Sequence, residues 1–159
     1  MKLQIIIFLL FFWGVFQTEK VEGKYHDNFG STLILNSDST FVYTWGFHTS
    51  YLWSKGKWKK KKNEITLIVI PIYDTIRVTG HKDSLRLSCN EKPNLISAKS
   101  YEDILYPKCY GEQTVNIFKK LHHKKKKLFE LDNKGRLITK KRKGYRGNVQ
   151  YDPWFTKTE

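Results

Sequence analysis

The sequence has few acidic residues and no recognisable motif for catalysis or cofactor binding. Asp and Glu number 15 against 29 Lys and Arg, which gives a formal net charge of +14. There is no G-x-S-x-G nucleophile motif, no glycine-rich phosphate loop and no dinucleotide fingerprint. The histidines lack metal-ligand spacing, and the adjacent His122 and His123 would point to opposite faces of a strand. We therefore expect a protein that is not an enzyme and has no metal or cofactor.

Cysteine is also scarce, since the chain contains only Cys89 and Cys109. Neither belongs to a C-x-x-C pair, so the sequence gives no support to a redox motif or a zinc knuckle. In an exported protein an even number of cysteines predicts a disulfide, which would stabilise the fold by roughly 3 kcal/mol. Two unpaired thiols are the alternative, and the disulfide prediction depends on export.

Long apolar runs are absent except at the N-terminus, where a positive start precedes an almost continuous apolar segment at 3–16. A bilayer-spanning helix needs about 20 residues, so this segment is typical of a signal peptide. We expect a signal helix at 1–23, cut after Gly23, and a single domain at 24–159. This places the protein in the periplasm or outside the cell. The alternative is an uncleaved segment that anchors the domain to the membrane.

The remaining chain consists of short segments with alternating apolar residues, separated by turn residues. This pattern predicts antiparallel strands joined as a meander. Residues 112–121 also fit a helix face, and the sequence Asp132-Asn133-Lys134-Gly135 predicts a hairpin turn. The expected fold is all-β, a small lipocalin-like barrel or half-open sandwich of about eight strands. The predicted strands are 31–36, 41–47, 51–59, 64–70, 75–79, 84–88, 112–121, 128–131 and 136–139.

Three motifs carry a family resemblance. A strand Asp38-Ser39-Thr40-Phe41 follows Gly30, the sequence Gly56-Lys57-Trp58 follows on the next strand, and Ile65-Thr66-Leu67 comes after a lysine-rich turn. In this order they resemble the small lipocalin-like domains of exported bacterial proteins, over residues 25–88. The resemblance implies a β-barrel.

Aromatic residues alternate along the second predicted strand and recur on the third. Inside a barrel they could line a cavity for a small apolar or amphipathic ligand. The alternative is a packed core, because side chains alone can fill an eight-stranded barrel. The candidate cavity residues are Phe41, Tyr43, Trp45, Phe47 and Trp58.

Lysine-rich runs at 59–62, 124–127 and 140–143 form the second candidate site. If they converge, they would bind an acidic membrane surface or an anionic glycan. The alternative is three separate solvated turns. Nucleic acid is not an expected partner, because export separates the protein from the nucleic acid of the cell. No feature of the sequence predicts an oligomeric state. The candidate anion-binding residues are Lys60, Lys61, Lys125, Lys126, Lys141 and Arg142.

Overall fold

The computed structural model describes residues 19–104, 111–143 and 149–158, and these ranges contain fourteen β-strands and one short 3-10 helix. The helix is Glu102–Ile104. The strands are β1 Gly23–His26, β2 Ser31–Leu35, β3 Thr40–Phe47, β4 Ser50–Lys61, β5 Glu64–Val69, β6 Tyr73–Val78, β7 Ser84–Leu87, β8 Leu95–Ala98, β9 Glu112–Gln113, β10 Lys120–Lys124, β11 Lys127–Glu130, β12 Arg142–Lys143, β13 Gln150–Tyr151 and β14 Trp154–Lys157.

Eight of the strands close into an antiparallel barrel. Around the barrel the order is β1, β2, β3, β4, β5, β10, β11 and β14, and β14 pairs with β1 to complete the circle. Neighbours in the barrel are therefore also consecutive in the chain, apart from two insertions. The predicted all-β antiparallel meander is confirmed, and its form is a closed barrel.

Local turn chemistry explains the hairpin of β2 and β3. Between β2 and β3, the Asp38 carboxylate accepts hydrogen bonds from the backbone N–H and the hydroxyl of Thr40, at 2.9 and 2.6 Å. Ser39 then adopts a φ of 64°, which allows the chain to reverse. The Trp58 indole N–H donates a hydrogen bond to the Asn36 carbonyl at 3.0 Å, and this bond connects β4 to the residue that follows β2.

Side chains from all eight barrel strands fill the interior. The small residues of β4 make room for the rings of β3, because Phe41 lies opposite Gly56 and Tyr43 opposite Ser54. A Cβ atom on Gly56 would come within 2.8 Å of the Phe41 ring and would collide with the Ile68 carbonyl. The core consists of Val21, Tyr25, Leu33, Leu35, Phe41, Trp58, Ile65, Leu67, Leu121, Leu128 and Phe155.

The first insertion forms a separate three-stranded sheet, in which β6 pairs with β7 and, in parallel, with β8. The predicted hairpin of 75–79 and 84–88 thus forms, but outside the barrel. Ile76 and Val78 are buried as the alternation predicts. Alternation in the second strand of the hairpin also predicts that Leu85 faces inward. This prediction is wrong, because Leu85 pairs with Thr75 on the opposite face of the sheet and is 70% exposed.

The last predicted hairpin forms only at its turn. Asp132 accepts backbone hydrogen bonds from Lys134 and Arg136, but a single bridge between Leu131 and Leu137 replaces the expected ladder. The predicted strand at 136–139 is therefore wrong. The strand that completes the barrel is β14, from the aromatic residues near the C-terminus. Within 112–121, the structure has β9 and only the start of β10.

Residues 19–22 pack on the barrel as an N-terminal arm. Val21 is 2% exposed and belongs to the core, and the Tyr25 hydroxyl donates to its carbonyl at 2.5 Å. A cut after Gly23 would remove both contacts, and this cut stays a prediction. The predicted signal helix falls mainly on residues 1–18, which lie outside the described residues. No helix in the described ranges is both long and apolar enough to cross a membrane.

Candidate functional site

Two lysine-rich hairpin tips lie side by side at one end of the barrel. β5 and β10 are neighbouring strands, and the His123 backbone donates to the Asn63 carbonyl at 2.7 Å between the two turns. In the β10–β11 turn, Lys125 and Lys126 have φ values of 49° and 56°, the geometry of the two central residues of a type I′ turn. The tips thereby bring two of the three predicted basic runs together.

The end of β14 and the N-terminal arm add further lysines to these tips. The Lys157 backbone donates to the Lys126 carbonyl at 2.8 Å, and the Lys157 ammonium donates to the Lys20 carbonyl at 2.7 Å. We call this surface the basic end, and it comprises Lys20, Lys60, Lys61, Lys62, Lys124, Lys125, Lys126 and Lys157.

A cleft of about 350 Å3 within the basic end is lined by Lys20, Lys126, Lys157, Glu19 and Thr158. Burial lowers the pKa of Lys157, and the like charges of Lys20 and Lys126 act in the same direction. Glu22 and Glu19 oppose this effect. Burial is thus the main cause of the shift, and the ammonium groups of Lys20, Lys126 and Lys157 share one cleft, which is an arrangement that attracts an anion.

One carboxylate of the chain already lies among these lysines. Glu19 accepts a hydrogen bond from the Lys126 backbone N–H at 2.8 Å, and its other oxygen lies 3.9 Å from His123 Nε2. His123 is 5% exposed, and Nε2 has no hydrogen-bond partner among the described residues. Burial lowers the pKa of His123, with Lys60, Lys157 and His122 acting in the same direction and Glu19 opposing them. Glu19 shows that this end of the barrel accommodates an anionic oxygen.

The third basic run does not join the basic end. Lys141 lies 3.6 Å from Asp152, and Arg142 lies 2.7 Å from Glu130. Glu130 is at the end of β11 remote from the β10–β11 turn. Lys60, Lys61, Lys125 and Lys126 are thus brought together, whereas Lys141 and Arg142 are placed elsewhere and have acidic partners.

Sequence reasoning left four members of the basic end out of the site. Lys62 and Lys124 lie within the predicted runs, so the runs themselves could have identified them. Lys20 and Lys157 come from opposite ends of the chain, and only closure of the barrel between β1 and β14 brings them together. No local sequence signal could have found this pair.

Three of the predicted cavity aromatics, Phe41, Tyr43 and Trp58, pack against other side chains of the barrel core. Phe41 and Trp58 belong to the core, and the Tyr43 ring packs edge-on against Phe118 at 5.3 Å. Trp45 is half-buried, and the Phe47 side chain lies outside the described part. Clefts of about 730, 460 and 350 Å3 on the described surface are lined by other residues. A ligand cavity between these aromatics stays a prediction.

The predicted disulfide also stays a prediction, because Cys109 lies outside the described residues. Metal ligands are not clustered in the part of the chain that the structure describes, where no three His, Cys, Asp or Glu side chains could hold one ion.

The fold and the site together define a closed, eight-stranded, up-and-down β-barrel with one lysine-rich end. Comparison of the chain with models of protein families, with curated proteins and with solved structures found no match.

Proposed function

We propose that the protein is a non-catalytic binding module that attaches to an acidic membrane surface through its basic end. The observation that carries this proposal is the convergence of two lysine runs from different hairpins. In the described part of the chain, no carboxylate oxygen lies within 4 Å of the ammonium groups of Lys60–Lys62 and Lys124–Lys126. None of these six ammonium groups therefore forms an ion pair with a described carboxylate.

The composition of the basic end suits a headgroup surface. Lysine ammonium groups are compact, hydrated charges without the planar fork that arginine offers to individual phosphates. Each lysine near an acidic bilayer contributes roughly 1 kcal/mol, so the six lysines at 60–62 and 124–126 suffice for reversible, salt-sensitive attachment.

The proposal includes export and a lipocalin-like relationship for the barrel. Export would place the basic end at the acidic surfaces of the cell envelope, either periplasmic or extracellular. The apolar segment 3–16 precedes Glu19 by only two residues, and Glu19 lies in the basic end. An uncleaved segment would therefore hold this same end against the bilayer.

The test is co-sedimentation of the purified protein with phosphatidylcholine vesicles that contain or lack phosphatidylglycerol. We expect binding only to the acidic vesicles, with a steep loss as sodium chloride rises. Replacing four basic-end lysines by glutamine should weaken binding at least tenfold. This basic-end variant is Lys60→Gln, Lys61→Gln, Lys125→Gln and Lys126→Gln.

A matched control variant removes the same charge from exposed lysines elsewhere and should retain most of the binding. It carries Lys82→Gln, Lys92→Gln, Lys99→Gln and Lys134→Gln. Equal losses in the two variants would show that net charge, and not the basic end, causes attraction. Binding to a soluble anionic polysaccharide but not to acidic vesicles would replace the membrane by a glycan as the partner.

A further inference from the structure

One seam of the barrel wall lies between the second half of β5 and the segment that leads into β10. The ladder between these strands ends at Thr66 paired with Lys120, followed by one hydrogen bond from the Leu67 N–H to the Lys119 carbonyl at 2.9 Å. Residues 114–119 are not part of a strand, so the ladder between β5 and β10 does not continue beyond this point. The seam lies toward the end of β5 remote from the basic end, which adjoins Glu64.

A groove of about 460 Å3 follows this seam. Its volume falls within the range of about 300–1,000 Å3 that is usual for small-molecule sites. Ile68, Tyr73 and Val115 line it and are 43%, 44% and 40% exposed. An apolar groove of this size with exposed apolar side chains along it is a candidate site for a small apolar ligand.

The lining of this groove contains a single charged residue. Every lining residue is uncharged except Lys119, and in the described ranges no carboxylate lies within 4 Å of the Lys119 ammonium. An apolar channel with a single unneutralised cation is complementary to an apolar chain that ends in one negative charge. We propose that the groove binds an acyl carboxylate, with the chain along Ile68 and Val115 and the carboxylate beside Lys119.

The test measures binding of dodecanoate and of the neutral dodecanol, below their aggregation concentrations, by isothermal titration calorimetry. We expect one dodecanoate per barrel. Val115→Asp should weaken dodecanoate at least tenfold, because a carboxylate in the groove would be desolvated by the acyl chain and would repel its headgroup. Lys119→Gln should remove the preference for dodecanoate over dodecanol and leave dodecanol binding unchanged.

Leu85→Asp is the matched control, since Leu85 is 70% exposed and does not line the groove. Absence of dodecanoate binding, or an equal loss with Leu85→Asp, would overturn the proposal. Concentration-dependent dimerisation that Val115→Asp abolishes would also overturn it, because a second copy would then cover the groove. Val115→Asp should leave acidic-vesicle binding intact, so this proposal and the proposed function can fail separately.

Discussion

His123 makes the basic end sensitive to pH at the scale of a single residue. Its imidazole is buried, and burial together with the Lys60 and Lys157 charges lowers its pKa below the ordinary value of 6.5. The unfolded chain therefore binds a proton at a higher pH than the folded chain does. Stability should fall as the pH drops below about 6.5, because protonation then favours the unfolded state.

The measurement is the thermal unfolding midpoint between pH 7.5 and 5.5, compared with the variants His123→Gln and His122→Gln. We expect the midpoint of the parent protein to fall on acidification, and this fall to be reduced in His123→Gln. His122 lies next to His123 on β10, on the opposite face of the strand, and is the smallest of the named influences on the pKa of His123. The control His122→Gln should therefore show nearly the same fall as the parent protein. An identical pH profile in all three proteins would contradict the role assigned to His123.

At the scale of secondary-structure elements, the N-terminal arm is expected to contribute to stability. A chain that begins at Lys24 lacks Val21, a core residue, and leaves the buried Tyr25 hydroxyl without its acceptor. Burial of a valine side chain stabilises by about 2 kcal/mol and a lost hydrogen bond costs about 1 kcal/mol, so the loss should be about 3 kcal/mol.

The comparison is urea unfolding of chains that begin at Glu19 and at Lys24, with Lys20→Ala in the longer chain as a control. The Lys20 contact is made through its backbone carbonyl, so this substitution should change little. If the two chains have the same urea midpoint, the arm is not part of the folded barrel.

The hairpin pattern of β2 to β5 could be predicted from the sequence because alternation and turn residues agree there over long stretches. β1 and β14 could not, since Gly23–His26 contains one aromatic and no aliphatic residue, and Trp154–Lys157 follows a segment without alternation. The three-stranded sheet shows the opposite problem. Its alternation correctly predicts strands at β6 and β7, but alternation carries no information on which sheet a hairpin joins.

The same limit applies to the candidate site. Each lysine run is visible in the sequence, but the pairing of β5 with β10 decides that 59–62 and 124–127 become neighbours. That pairing spans the long insertion between Val69 and Lys120. The acidic partners of Lys141 and Arg142 come from β11 and from Asp152, next to β13, so their neutralisation also depends on tertiary structure.

At the scale of the whole molecule, the net charge of +14 is distributed unevenly. Several cations outside the basic end form ion pairs, such as Lys55 with Glu91 at 2.6 Å and Arg77 with Asp83 at 2.7 Å. The basic end therefore concentrates repulsion in the folded state. An anion that binds there should stabilise the fold, whereas an anion that only screens charge should act on all lysines alike.

Phosphate and chloride at equal ionic strength separate these two effects. Binding of phosphate at one hundred times its dissociation constant would add about 2.7 kcal/mol to the free energy of unfolding, enough to raise the thermal midpoint by several degrees. We expect phosphate to raise the midpoint more than chloride does in the parent protein and in the Lys82, Lys92, Lys99 and Lys134 control variant. The basic-end variant should lose this difference, because its four glutamines remove the charges at the two hairpin tips.

Equal midpoints in phosphate and chloride for the parent protein would mean that anions screen the charges of the basic end without binding to it. Attachment to an acidic surface would then require the whole charge of the molecule.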